Sequence, residues 1–197
     1  SISKPPEKIK QEAFIVYDTQ KIPLVKHLLQ KSNFKSVLIF CSSKISVKQL
    51  TRDLKRAKLL ADEIHSDLDQ SKREEVLIQF KSRRLPILDA TDILSRGIDI
   101  DNIDLVINYD VPHDGEDYVH RIGRTARAEA DGTAYTFVSI KEQRKFLAIE
   151  RLIGKSVPKA RVPEELGETP TYNTAPVKSH SGKRKFNNPK RFQNKPK

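Results

Sequence analysis

The sequence has no methionine and no tryptophan, a single cysteine, and only seven glycines in 197 residues. Each scarcity excludes something. A chain opening on Ser1 without methionine reads as a processed or excised piece of a longer protein. One cysteine rules out an internal disulfide framework and suits a reducing compartment. Cys41 ends the apolar run Val37–Cys41, so it reads as a small core residue rather than a nucleophile. No run approaches the roughly 18 apolar residues of a membrane span, and no signal-peptide pattern opens the chain. A cytoplasmic location is the default expectation, with no membrane partner.

Acidic residues are missing from one place in particular. The formal charge is +11, but of 37 Lys and Arg eight fall in residues 178–197, which contain no Asp or Glu. The remaining 177 residues hold 29 basic against 26 acidic groups, a net of +3. A nearly balanced body therefore carries a cationic tail. Such a tail suits a polyanion, because each phosphate neutralised releases a counterion. It also suits a solvated, disordered end that aids solubility.

What is present is an alternation. Ser36–Cys41 (SVLIFC), Ile87–Ala90 (ILDA), Leu105–Tyr109 (LVINY) and Thr133–Val138 (TAYTFV) read as strands rich in Val, Ile, Phe and Tyr. Between them Val47, Leu50, Leu54 and Ala57 recur at helical spacing, as do Phe146, Ile149 and Ile153. Ala13–Val16 followed by Ile22–Leu29 adds a strand and a helix at the start. The alternation predicts an α/β fold: a mostly parallel central sheet in a three-layer sandwich, with helices on both faces. Past Gly154 the pattern fails, and Pro158, Pro163, Pro170 and Pro176 punctuate a stretch poor in large apolar residues. The expected organisation is one domain over 1–154, a proline-containing linker over 155–177 and a disordered basic tail over 178–197. No internal repeat is present.

In open parallel sheets ligands bind beyond the carboxyl ends of the strands. Ser42 and Ser43 follow the first buried strand there, and Thr91 and Asp92 follow the second. Hydroxyls and free N–H groups beside helix starts suit phosphate, although the same residues can simply cap helices. Ser71-Lys72-Arg73-Glu74 has the form of a capping box and predicts a helix starting near Ser71. Arg73 then lies in a first turn, where a cation is unfavourable unless an anion joins it. A phosphate would serve, and so would Glu74 or Glu75. Asp114, with Glu116 and Asp117, can open another short helix. It leads into Arg121, Arg124 and Arg127, spaced every three residues around Gly123. Crowded guanidiniums suit phosphoryl oxygens, and a basic face paired with Asp117, Glu129 or Asp131 is the alternative.

The order of these residues resembles the second, RecA-like lobe of the DEAD-box helicases of superfamily 2. His120–Arg127 (HRIGRTAR) is similar to that family's motif VI, HRIGRTGR. Ala90–Ile100 (ATDILSRGIDI) resembles motif V, and Leu38–Lys44 (LIFCSSK) resembles motif IV. Gln70–Arg73 matches the family's Q-x-x-R element, and Val106–Pro112 (VINYDVP) matches its intervening strand. The resemblance implies a C-terminal lobe of an ATP-dependent RNA helicase that binds RNA by its backbone. It implies arginine fingers at Arg124 and Arg127 toward ATP, and Asp99 at the ribose. It implies RNA contacts at Ser43, Gln70, Arg73, Thr91 and Gly97, with Arg96 supporting that loop. His120 and Arg121 would couple the lobe to its N-terminal partner. Two departures stand out: Ala126 replaces a glycine, and Asp89 replaces an apolar residue whose burial would demand a partner.

Neither a G-x-x-x-x-G-K-S/T loop nor an Asp-Glu-Ala-Asp motif occurs. ATP and Mg²⁺ are therefore expected to be held mainly by the N-terminal lobe, and no metal site is expected in this chain. The chain alone should be inactive. The alternative is a non-enzymatic RNA-binding module that relies on the basic tail, and a third, DNA-directed relative is disfavoured by His120, where such relatives often have Gln.

Overall fold

The computed structural model describes residues 8–92, 99–126 and 131–173. Arg96, Gly97, Arg127 and the basic tail lie outside the described residues.

Six strands form one sheet: β1 (Ile9–Ile15), β2 (Val37–Phe40), β3 (Ala61–Ile64), β4 (Ile87–Ala90), β5 (Leu105–Asn108) and β6 (Gly132–Val138). Their order is β1-β6-β5-β2-β4-β3, and every described pairing is parallel. Parallel strands need crossovers, and four helices supply most of them: α1 (Lys21–Gln30), α2 (Lys44–Arg56), α3 (Gln70–Lys81) and α4 (Gly115–Ile122), while α5 (Gln143–Ile153) follows β6. Alternate residues of the strands face opposite layers. Val37, Ile39, Leu105 and Ile107 pack with Leu24 and Val25 of α1 and with Val47, Leu50 and Leu54 of α2. On the other face, Leu38, Phe40 and Val106 meet Val76 and Phe80 of α3, and Ala13, Ala134 and Val138 meet α4 and α5. This is the three-layer sandwich expected. Cys41 is buried and unoxidised.

Two local expectations need correction. β3 (ADEI) was not anticipated; as an edge strand it carries Asp62 and Glu63 where a central strand would be apolar. α3 starts at Gln70, near Ser71 as expected, but its cap is Asp69, whose Oδ1 accepts from the Lys72 N–H at 2.8 Å, and not the Ser71–Glu74 box. Further along, α4 ends at Ile122 and passes into a 3₁₀ turn over Gly123–Thr125, so Arg124 lies just beyond the α-helix that carries Arg121.

The stretch expected to be a linker packs on the domain through residue 173. Ala13 donates to Pro158 O and accepts from Ala160 N, both at 2.8 Å, which covers the outer edge of β1. Val157 is buried. Glu150 anchors the strap, taking bonds from Val157 N at 2.8 Å and from Tyr172 OH at 2.7 Å and pairing with Lys159. Gln20 Nε2 donates to Leu166 O and Glu168 O, both at 2.9 Å. Asn173 N donates to Gln143 Oε1 at 3.0 Å, so the strap finishes beside the start of α5, at the carboxyl end of the sheet.

Candidate functional site

Strand order decides which candidate residues meet. β2, β4 and β3 are neighbours, so the loops beyond their carboxyl ends adjoin: Ser43 after β2, Thr91 after β4, and Ser66–Arg73 after β3. Thr91 N donates to Ile64 O at 3.3 Å, tying two of these ends together. Ser43 is the N-cap of α2; its Oγ accepts from Ser46 N at 3.2 Å, so the capping role is real. Arg73 Nη2 donates to Ser66 O at 3.2 Å, so a carbonyl, and neither Glu74 nor Glu75, steadies the cation near the start of α3. Gln70 is exposed and bonded to Glu74 at 3.0 Å. The result is an open rim carrying a hydroxyl, a guanidinium and helix-start N–H groups, a surface suited to a phosphate backbone.

Sequence reasoning missed two lysines on this rim. Lys44 and Lys48 both reach Asp67, at 2.9 and 2.7 Å. Hydrogen bonds from Lys48 and then Lys44 hold the Asp67 carboxyl down at about 2. The spacing of four residues along α2 was the signal available for them.

A second group gathers around the end of α4. Ile103 N donates to Arg124 O at 3.1 Å, and Arg124 Nη1 donates to Ile100 O at 3.3 Å, so Arg124 lies against the segment that opens with exposed Asp99. Asp99, Arg83 and Asn102 line a recess of about 300 Å³ beside it. Gly132 lets this turn form: a Cβ there would lie 2.2 Å from Thr125 O, a backbone atom that cannot move cheaply. A Cβ at Gly123 would meet nothing within 4 Å among the described residues. Ala126 sits at φ −63° and ψ 127°, so the departure from glycine is accommodated.

Arg121 connects the two groups. It is buried, bonded to Asp92 just past β4, and its guanidinium lies 5.0 Å from the Phe40 ring centroid. His120 is exposed, 4.0 Å from Glu116. The other departure also finds its partner: Asp89 is fully buried and its Oδ2 accepts from Thr51 Oγ1 at 2.6 Å. Burial pushes its carboxyl up to about 8, with Glu63 and Asp62 adding to the effect. His113, Asp114 and Asp117 bring metal-ligating atoms within 4.8 Å of one another, but Asp114 is occupied in capping α4, accepting from Asp117 N at 2.9 Å.

Residues 20–129 match the model of the helicase conserved C-terminal domain. The chain belongs to the DEAD-box helicase C-terminal domains. It is 42% identical over 161 residues to DEAD-box ATP-dependent RNA helicase 40 of Oryza sativa, covering 81% of this chain and 20% of that protein. It superposes on the C-terminal domain of the DEAD-box protein Dbp5 with a TM-score of 0.73 at 30% identity, covering 78% of this chain and 90% of that one. S. cerevisiae Dbp5 bound to RNA and ADP BeF3 gives the same TM-score at 29% identity, over 79% of this chain and 42% of that chain. This DEAD-box domain spans between a fifth and a third of the length of the curated relatives it matches.

Proposed function

We propose that this domain is the C-terminal lobe of an ATP-dependent RNA helicase and works by closing with an N-terminal lobe over ATP and RNA. In this reading Arg124 and Arg127 reach the γ-phosphate of ATP seated on the other lobe, and Asp99 meets the ribose. A guanidinium placed there stabilises charge that develops on the equatorial oxygens in phosphoryl transfer. Mg²⁺, which the other lobe would mainly hold, would neutralise charge on the phosphates of ATP. Ser43, Gln70, Arg73, Thr91 and Gly97 line the RNA backbone path, and His120 with Arg121 couples the lobes. Backbone contacts carry no base code, so recognition is independent of sequence.

One observation carries the reading: Arg121 bonds Asp92 at the RNA-side rim, while Arg124, three residues on, lies against the Asp99 segment. Two ligand surfaces thus share one short piece of backbone. The competing reading is a passive RNA-binding module in which the tail of 178–197 dominates.

RNA binding by variants separates the two. Arg73→Ala should weaken binding about equally for all sequences and lower the salt slope by about one. If removing 178–197 abolishes all affinity while Arg73→Ala changes nothing, the passive module is correct.

A further inference from the structure

A buried ion cluster at the carboxyl end of the sheet is unused by the account above. Lys21, the first residue of α1, has a side chain only 2% exposed. Its Nζ lies 2.9 Å from Glu142 Oε1, 3.1 Å from Asp110 Oδ1 and 3.4 Å from Asp18 Oδ1, and 5.3 Å from the Tyr109 ring centroid. Burial disfavours its charge, but Asp110 and Glu142 outweigh that and hold it above the ordinary lysine range.

The carboxylates do more than neutralise the lysine. Asp110 Oδ2 accepts from Ser42 N at 2.7 Å, and Glu142 Oε2 accepts from Val111 N at 2.7 Å. Glu142 Oε1 also takes Ser139 Oγ at 2.8 Å. One ammonium thereby joins the turns that follow β1, β2, β5 and β6. Two of those turns matter for function. Ser42 precedes Ser43, the cap of α2 on the RNA-side rim, and Val111 opens the turn into Asp114, the cap of α4 that carries His120 and Arg121 and leads to Arg124. Buried ion pairs are weak stabilisers, since well-packed apolar side chains can match them, whereas fixing one register is a role they can fill.

We propose that the Lys21–Asp110–Glu142 cluster is a positioning device that sets α4, and with it Arg124, relative to the Ser42–Ser43 turn, so that RNA held at the rim is felt as turnover at the arginines. It rests on the helicase reading. Lys21 touches neither ligand; it acts through two backbone N–H groups.

The test is ATP turnover by the protein carrying both lobes, with and without saturating oligo(U) RNA. Lys21→Met should cut the ratio of stimulated to unstimulated turnover about tenfold, while leaving the unstimulated rate and the KM for ATP near wild type. Lys21→Arg, which keeps the charge, should restore most of the ratio. If both rates fall by the same factor, following the loss of folded protein seen by circular dichroism, the cluster is only structural and the proposal is overturned. Should Lys21→Met not fold, Glu142→Gln takes its place, since the amide still accepts from Val111 N but no longer holds the ammonium. An unchanged ratio in that variant overturns the proposal equally. Wild-type protein that RNA does not stimulate refutes the helicase reading itself, before any variant is compared.

Discussion

Arg121 in α4 and Asp92 beyond β4 form an ion pair whose cationic half is buried and stacked on Phe40. Burial disfavours the charged guanidinium, and Asp92 is the first of the carboxylates that offset this. Asp92→Ala should lower folding stability by about 3 kcal/mol, the lower end for a broken buried pair because Asp92 itself is half exposed. Denaturant unfolding measures it; a loss below about 0.5 kcal/mol would mean that Arg121 does not need this partner.

Asp89 predicts an unusual pH dependence. An unfolded aspartate titrates near 3.9, whereas the folded group, in an apolar layer facing Thr51, Lys55, Asp62 and Glu63, sits at about 8. Below about pH 4 both states hold the proton and the group contributes nothing. Between there and pH 8 only the folded state keeps it, so stability falls as pH rises, and above pH 8 the full cost is present. Asp89→Val should therefore gain on wild type progressively from pH 4 to pH 8, by up to a few kcal/mol. A stability difference that is flat across this range would show that Asp89 is not protonated in the fold.

Two glycines near Arg124 should behave oppositely. Gly132→Ala collides with the Thr125 backbone and should destabilise by about 1–3 kcal/mol. Among the described residues Gly123 has open space, and its φ is helical, so Gly123→Ala should hold or raise stability by about 0.4–1 kcal/mol. In the two-lobed protein it should nonetheless slow ATP turnover, because on the proposed reading the nucleotide would lie where the methyl goes. Unchanged turnover would place the nucleotide elsewhere.

Arg124→Ala separates binding from chemistry. With both lobes present, RNA affinity should stay within about twofold, while turnover falls by roughly 10³–10⁵. Turnover near wild type would remove Arg124 from the finger role.

The layered fold was legible because central strands of a parallel sheet are continuous apolar runs, as in Val37–Phe40 and Leu105–Asn108. β3 was not, because an edge strand such as ADEI tolerates acids. The strap was hidden for a related reason. Beside the burial of Val157, its hold on the domain comes from backbone bonds to Ala13 and side-chain bonds from Gln20, Gln143 and Glu150, which leave no regular apolar periodicity. Motif order pointed to Ser43, Thr91, Arg73 and Arg124, but pairings such as Thr51 with Asp89 or Lys21 with Glu142 join residues 38 and 121 positions apart. Lys21 did leave a trace: it occupies the apolar stripe that continues through Leu24, Val25 and Leu28. A lysine on such a stripe calls for buried carboxylates.

ATP hydrolysis by the purified 197-residue chain, compared with the same chain joined to an N-terminal lobe, addresses the split nucleotide site most directly. The expected result is negligible hydrolysis by the chain alone, with or without RNA, and RNA-stimulated hydrolysis once the lobes are joined. Robust hydrolysis by the isolated chain, abolished by Arg124→Ala, would contradict the account, because the phosphates would then be gripped without a second lobe.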